Sequence, residues 1–342
     1  MRGIAPLQVR AASLSGFIEV SYFVGLDPFE LLRRAGISSQ FLDDPENRHD
    51  AGPVTDMLED AAAESGCEIF GLLMAESRTF ASLGPLGLLL QHLSSIDDVL
   101  NALNQYGRLM NDVVALERVR GRERNILCWS VAPGFEKPQT IDLTVAAGYR
   151  MLTEVLGGSW TPELVYLTRS PPAEKGQFER YFAVPIEFDS IFDGYSCEMD
   201  LLDAPAVPAR AMMADNARRL LELLPQPEEH GRISESVQRA ITLRLPAGEA
   251  TLEKVAQNLE IEPAELRRRI ASEGSSFEGL LLETRKNVAM RFLGASSRPL
   301  DFIATMTGCP SARAFSSWFE SEFGETPAAW RKERTSRAPA NS

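Results

Sequence analysis

Cysteine and histidine are scarce in this chain of 342 residues, which contains four of the first and three of the second. The cysteines are Cys67, Cys128, Cys197 and Cys309. They lie far apart, without the paired spacings that hold zinc or build a disulfide framework, so they favour a reducing cytoplasm. No histidine has a partner at metal-ligand spacing, and no glycine-rich turn joins a strand to a helix as a phosphate site requires. We therefore expect no metal, no cofactor and no enzyme activity.

Long apolar runs are also missing. The most apolar stretch, residues 83–90, is interrupted by glycine and proline. It is far shorter than the roughly 20 residues that cross a bilayer as a helix. The N-terminus has no apolar core of signal-peptide length. These absences predict that the protein has no membrane partner and is not secreted. What remains is a globular chain, 44% hydrophobic, whose length predicts about two domains.

Positive charge is in short supply in the first two thirds of the chain. Residues 1–225 contain 19 lysines and arginines against 32 aspartates and glutamates, whereas residues 226–342 contain 16 of each. An acidic region repels polyanions. Any contact with nucleic acid must therefore come from the second part, although a region of zero net charge is not an obvious DNA binder either.

The clearest boundary lies at residues 225–231, which contain two prolines, two glutamates and a glycine. Such a segment propagates neither a helix nor a strand and is typical of a linker. We therefore predict a first domain over 1–224, a linker over 225–231, a second domain over 232–335 and a disordered tail over 336–342.

The first domain mixes two hydrophobic periods. Helical recurrence is found at 9–35, 53–66, 95–109, 141–156 and 212–224. Runs typical of strands are found at 113–119, 125–131, 164–168, 186–188 and 195–199, with the charged turn 120–124 predicting a hairpin between the first two. Helices followed by strands mixed with helices indicate an α+β fold with an antiparallel sheet.

The second domain has only the helical period. A helix, a short turn and another helix occur twice, at 252–273 and 301–323, and one long helix joins the two units. In a helix-turn-helix the second helix projects side chains into the major groove while the first crosses the backbone. Two such units favour DNA binding over a plain helical bundle.

At these positions the sequence resembles the AraC/XylS family of bacterial transcription regulators. The resemblance covers residues 250–331. Its first half is carried by Leu252, Val255, Ala256, Leu259, Leu266, Arg268, Ile270, Gly274, Ser276 and Phe277. Its second half is carried by Ile303, Ala304, Gly308, Ala314, Phe315, Phe319, Gly324, Pro327, Trp330 and Arg331. The resemblance implies an all-α domain with two helix-turn-helix units.

Residues 15–210 more distantly resemble the arabinose-binding-like domain of one branch of that family. The motifs are Gly25-Leu-Asp-Pro28, Phe70-Gly-Leu72, Phe80-x-Ser82-x-Gly84 and Phe182-x-Val-Pro185. This resemblance implies a cytoplasmic regulator whose N-terminal domain senses a small molecule and forms a homodimer. The implied partners are promoter DNA, an unknown effector and RNA polymerase.

The resemblance also assigns DNA-contacting positions. They are Ala264, Arg267 and Arg268 in the first unit and Ser311, Ala312, Arg313 and Ser317 in the second. Arginine is the commonest reader of guanine and neutralises phosphates, so Arg267 and Arg268 are the strongest candidates. Arg269, by its helical position, is expected to pair with Glu265 or Glu273 instead.

Both units depart from the family pattern, the first at Glu262 and Ala264 and the second at Cys309, Ser317, Glu320 and Glu322. Glu262 replaces the usual serine N-cap, Ala264 a basic residue, Cys309 a phenylalanine and Ser317 an arginine, while Glu320 and Glu322 replace basic residues. Two glutamates facing a polyanion predict that the first unit dominates DNA binding. They also leave open a different function, that of an interaction protein that antagonises a related regulator by dimerising without binding DNA.

The effector is not evident from the sequence. Six aromatic residues of the first domain are candidates to line a pocket: Phe70, Phe80, Tyr106, Trp129, Tyr149 and Trp160. No cluster of arginine or lysine in the sequence indicates an anionic effector.

Overall fold

The computed structural model describes residues 6–120, 124–156, 158, 160–198, 211–224, 232–259, 261–295 and 298–335. The chain divides into two compact units, residues 1–230 and 231–342. The predicted linker 225–231, the hairpin turn 121–123 and the predicted tail 336–342 lie outside the described residues. No described helix is long and apolar enough to cross a membrane.

The first unit combines α-helices with two sheets. Its helices are α1 (Phe17–Phe23), α2 (Pro28–Arg34), α3 (Ala51–Ser65), α4 (Phe70–Ala75), α5 (Pro85–Leu90), α6 (Ile96–Met110), α7 (Pro138–Val155), α8 (Lys175–Phe182) and α9 (Ala211–Leu223). Its strands are β1 (Gln8–Arg10), β2 (Arg48–Asp50), β3 (Val114–Arg120), β4 (Asn125–Val131), β5 (Leu164–Tyr166), β6 (Ile186–Glu187) and β7 (Asp193–Cys197). Short 3₁₀ helices cover Ala11–Leu14, Ser39–Asp43 and Phe80–Leu83. The predicted α+β class is confirmed.

The larger sheet has the strand order β3-β4-β7-β5-β6. Strands β3 and β4 form an antiparallel pair in which Val114 opposes Val131 and Arg120 opposes Asn125, so the predicted hairpin pairing is confirmed. The sheet is antiparallel as expected at three of its four strand pairs, and β5 and β6 run parallel. Helix α8 lies between these two strands in the chain. It carries the chain back so that β6 begins at the same end of the sheet as β5, as a parallel connection requires.

The opening of the chain differs from its predicted helical pattern. Residues Gln8–Arg10 pair with Arg48–Asp50 as a two-stranded ribbon, and the first α-helix begins only at Phe17. Helices α4 and α5 were not predicted because their apolar residues are buried on several sides, which removes the polar stripe that marks a surface helix.

Helix α7 packs closely on the larger sheet. A Cβ added at Gly148 would lie 2.4 Å from the indole of Trp129, so only glycine lets the helix approach β4 this closely. The Tyr195 hydroxyl of β7 donates a hydrogen bond to the Val145 carbonyl. Trp129 and several residues of α7 line a cavity that is described below.

The second unit is helical throughout its described residues. Its helices are α10 (Ile233–Arg244), α11 (Leu252–Asn258), α12 (Pro263–Ser272), α13 (Phe277–Ala295), α14 (Leu300–Met306), α15 (Ala312–Phe323) and α16 (Pro327–Thr335), with a 3₁₀ helix at Leu245–Ala247. Helices α11 and α12 form one helix-turn-helix, α14 and α15 form the other, and α13 joins them. This arrangement agrees with the predicted order.

Candidate DNA-binding surface and effector cavity

The first helix-turn-helix is held together by a small apolar core. Thr251 caps α11, its hydroxyl accepting a hydrogen bond of 3.3 Å from the Lys254 N–H. Val255 of α11 and both Leu266 and Ile270 of α12 are fully buried. With Leu266 and Ile270 turned inward, the opposite face of α12 is left for other contacts.

The exposed face of α12 contains all three candidates of the first unit. Ala264, Arg267 and Arg268 are exposed, and so is Arg269. At about 100° per residue, Arg268 lies almost opposite the buried pair, whereas Arg267 and Arg269 flank it on either side. Helical phase alone therefore does not place Arg269 nearer the core than Arg267.

Ion pairing does distinguish the arginines. Glu265 accepts two hydrogen bonds of 2.8 Å from Arg268 and one of 2.7 Å from Nε of Arg269. Hydrogen bonds from Arg268 and Arg269 lower the pKa of Glu265 to about 2. The expected pairing of Arg269 with Glu265 is found, but Arg268 shares the same carboxylate. Within the described residues, Arg267 is the arginine of α12 that has no ion pair.

The N-terminus of α12 lacks a side-chain cap. Glu262 occupies the N-cap position without accepting a hydrogen bond from the helix, and Pro263 follows in the first turn. The carboxylate of Glu262 therefore adds negative charge at the helix end that would approach DNA without stabilising the helix through a cap.

Glu273, the second partner suggested for Arg269, has a different role. Its two carboxylate oxygens accept hydrogen bonds from the backbone N–H groups of Ile233, at 2.7 Å, and Ser234, at 3.0 Å. Glu273 follows the last residue of α12, and the two amides open α10. It caps α10 and has no ion pair with Arg269.

In the second helix-turn-helix, Ser311 is the N-cap of α15. Its hydroxyl accepts a hydrogen bond of 3.2 Å from the Ala314 N–H. Arg313 and Ser317 are exposed on one face of α15, whereas Ala312 is half-buried. Of the four positions assigned to this unit, Arg313 is the only cation.

The two glutamates of α15 occupy different faces. Glu320 is exposed, beside Arg313 and Ser317. Glu322 forms an ion pair of 2.7 Å with Lys286 of α13. It comes nine residues after Arg313, about two and a half turns, and so lies on the opposite side of the helix. The expectation that both glutamates face DNA is wrong for Glu322.

Other cations of this unit act within the fold. The Nε of Arg285 donates a hydrogen bond of 2.9 Å to the Thr307 carbonyl at the end of α14, and its guanidinium lies 5.8 Å from the ring centroid of Trp318. Arg331 donates to the Arg298 carbonyl at 2.9 Å.

The turn between α14 and α15 needs glycine at 308, where φ is +70° and a Cβ would lie 2.8 Å from the Leu245 carbonyl oxygen.

The first unit contains a cavity of about 230 Å³ that is partly open to solvent. Of the six aromatic candidates only Trp129 lines it, and most of the wall is aliphatic. Among the described residues, Arg10, Arg78 and Arg108 line it, and no aspartate or glutamate does. These arginines form no cluster in the sequence and meet only in the fold. The three arginines are too far apart in the sequence to be read as a group.

Known proteins share both units. Residues 25–206 match the arabinose-binding N-terminal domain of AraC transcription regulator, and residues 255–333 match a helix-turn-helix domain. The HTH-type transcriptional regulator VirS of Mycobacterium tuberculosis is 27% identical over 94% of this chain and 96% of its own. The ornithine utilization regulator of Pseudomonas aeruginosa is 23% identical over 90% and 91%.

Among solved structures, the transcriptional regulator CdpR of Pseudomonas aeruginosa is similar with a TM-score of 0.44 and 17% identity, over 89% of this chain and 96% of that one. The matched domains cover the cavity-lining residues from Val54 to Met151 and, from residue 255, the two helix-turn-helix units. Each curated relative named above is a regulator rather than an enzyme. The chain belongs to the AraC family of DNA-binding transcription regulators.

Proposed function

We propose that this regulator binds promoter DNA chiefly through α12, while its first unit binds a small-molecule effector and pairs two copies of the chain. The observation that carries the DNA assignment is the face formed by Ala264, Arg267 and Arg268. These side chains are exposed on the second helix of a helix-turn-helix. Arginines in that place supply guanine and phosphate contacts.

Helix α15 supplies the weaker contact in this proposal. Arg313 and Ser317 are exposed, but Glu320 shares their face and reduces the attraction for phosphate. Ser311 caps the helix and keeps its hydroxyl hydrogen available for a phosphate oxygen. Half-buried Ala312 offers at most a methyl contact.

The test is a binding titration of the full chain on DNA flanking its own gene, at low and moderate salt. Arg268→Ala should weaken binding by about tenfold to a hundredfold. Arg33→Ala is the matched control, because Arg33 pairs with Glu30 three residues before it, as Arg268 pairs with Glu265. An equal loss in both variants, or a loss confined to Arg313→Ala, contradicts the assignment to α12.

The same titration separates this function from an antagonist that does not bind DNA. A protein that acts only by dimerising would show no salt-dependent binding to any fragment. Membership of the family does not favour that alternative, and the exposed arginines of α12 oppose it.

A stripe on α9 supports dimerisation through the first unit. Met213, Asn216, Leu220 and Leu223 follow one another at spacings of three, four and three residues, the repeat of a coiled-coil seam. All four are exposed, while Ala214, Ala217 and Leu221 bury the other side of the helix. We therefore assign the seam to a second copy of α9 in a two-fold dimer.

Sedimentation of the full chain tests this seam. Leu220→Asp should convert a dimer at micromolar concentration into a monomer. Phe23→Asp is the control, since Phe23 of α1 is equally apolar and 79% exposed but lies outside the seam. A monomer with Phe23→Asp and a dimer with Leu220→Asp would place the interface elsewhere.

The linker assignment of 225–231 completes the proposal, with 232–335 as a separately folding DNA-binding domain. Limited proteolysis of the full chain should cut first in that segment and leave two resistant fragments. A resistant fragment that spans it contradicts the boundary. RNA polymerase is the remaining proposed partner. Transcription from the bound promoter in a purified system tests whether the protein acts on the polymerase.

A further inference from the structure

The cavity of the first unit has a charge opposite to that of its surroundings. The first 225 residues contain 13 more acidic than basic side chains. Yet in the part of the chain that the structure describes, three arginines and no carboxylate line the cavity. A wall this biased in an acidic region is not explained by composition.

Arg78 is the key residue, because its charge is not neutralised. One terminal nitrogen donates to the Ala12 carbonyl at 2.5 Å and the other donates to the Ser13 carbonyl. Its Nε is shielded from solvent without a hydrogen-bond partner. Within the described part of the chain, no carboxylate forms an ion pair with Arg78. Burial, together with the nearby charge of Arg10, lowers the pKa of Arg78 to about 10, so it remains a cation at neutral pH.

Arg10 shows what a satisfied arginine in the same wall looks like. It forms an ion pair of 2.5 Å with Glu46 and donates to the Ser82 carbonyl at 3.0 Å. Glu46 does not line the cavity. Arg10, Glu46 and Arg78 together therefore leave one net positive charge against the cavity. Burying a charge without a counter-charge is costly, and an anion would offset that cost.

The rest of the wall defines the body of the ligand. Aliphatic lining residues include Val9, Val54, Leu58, Leu86, Leu103 and Val113. Thr140 of α7 also lines the cavity, and its buried hydroxyl has no hydrogen-bond partner. At about 30 Å³ per water in the liquid, the cavity holds roughly eight water-sized groups. A small ligand with one polar end and an apolar body fits this wall.

We propose that the effector is a small organic carboxylate whose acid group binds Arg78 and Thr140 and whose apolar body packs on the aliphatic wall. This inference rests on the proposed function that the first unit senses a small molecule. Arg108, which is exposed and also lines the cavity, adds attraction for an anion.

Acids and their neutral amides of the same shape provide the test. Calorimetry and thermal unfolding of the full chain are measured with benzoate against benzamide and with hexanoate against hexanamide. At least one acid should bind and raise Tm with increasing concentration, while its amide does not. If neither acid exceeds its amide, the carboxylate proposal is overturned.

Variants connect binding to the named groups. Arg78→Lys keeps the charge but loses the planar fork, and should weaken the acid by about tenfold or more. Thr140→Val keeps the shape of the side chain and should weaken binding of the acid by a smaller factor. This variant provides the test if Arg78→Lys fails to fold. Arg33→Ala, outside the cavity, should bind as the wild type does. Unchanged binding in both cavity variants overturns the proposed site.

Failure of this inference is distinguishable from failure of the proposed function. If benzamide or benzylamine binds and changes the affinity for DNA while the acids do not, sensing stands and the carboxylate class is wrong. If the unliganded wild type does not bind DNA, the proposed function is contradicted, whatever ligand the cavity binds.

Discussion

The two helix-turn-helix units share one architecture and differ in how they use charge. Helix α12 presents three exposed arginines and one carboxylate, Glu265, that holds two of them. Helix α15 presents Arg313 beside Glu320, and its other glutamate is tied to Lys286. The first recognition helix is richer in cations but begins at an uncapped glutamate, whereas the second is well capped but poor in cations. The cations and the stronger helix cap thus belong to different units.

Removing the cations of each helix should give the largest difference in DNA affinity between the two units. Arg267→Ala combined with Arg268→Ala is expected to weaken DNA binding by a hundredfold or more, at about tenfold per lost contact. Arg313→Ala should cost about threefold to tenfold, because Glu320 already offsets part of its attraction. Equal losses in the two units, measured by titration on one fixed site, would show that the units contribute alike.

Releasing Arg268 and Arg269 from Glu265 should increase the DNA affinity of the first unit further. Glu265→Gln frees Arg268 and Arg269 and removes a negative charge, so we expect about tenfold tighter binding and a steeper salt dependence. Because the pKa of Glu265 is about 2, its carboxylate stays ionised at neutral and mildly acidic pH. The gain should therefore be the same at about pH 5.5 and about pH 8. A gain that disappears at the lower pH would mean that another group controls these arginines.

The glutamates of α15 should separate binding from stability. Glu320→Gln is expected to tighten DNA binding by about twofold to threefold with an unchanged Tm, since it only removes repulsion. Glu322→Gln should leave DNA binding unchanged and lower the free energy of unfolding by about 0.2–1 kcal/mol, through loss of the ion pair with Lys286. Each variant is the control for the other. Exchanged effects would reverse the assignment of faces.

The capping difference should give the smallest changes. Glu262→Ser supplies a hydroxyl acceptor at the start of α12 and is expected to stabilise the second unit by about 0.5–1 kcal/mol. Ser311→Ala should destabilise it by about 1 kcal/mol, because the cap of α15 is lost. Denaturant unfolding of the full chain, followed by helical signal, measures both. A neutral Ser311→Ala would show that the observed cap contributes little.

Local signals account for what the sequence predicts correctly. The β3–β4 pairing and the Arg269–Glu265 pair each depend on residues close together in the chain. Spacing rules were sufficient for them. The same rules also allow the Arg268–Glu265 pair, whose members are three residues apart.

Contacts between distant residues account for what the sequence does not predict. Lys286 and Glu322 meet only because α13 and α15 pack together. Arg10 and Arg78 reach one cavity from a strand and a loop 68 residues apart. Hydrophobic periodicity contains no information on contacts between distant residues. The ion pair of Glu322 and the arginines of the cavity can therefore be seen only in the folded structure.

The cap that Glu273 places on α10 has a consequence for amide exchange. The first N–H groups of a helix lack carbonyl partners and ordinarily exchange quickly with solvent. Those of Ile233 and Ser234 are held by the carboxylate that follows α12. Their exchange is therefore slow only while the end of α12 stays in place. These two amides, at the entrance to the second unit, report the local opening of the recognition helix before the rest of the unit unfolds.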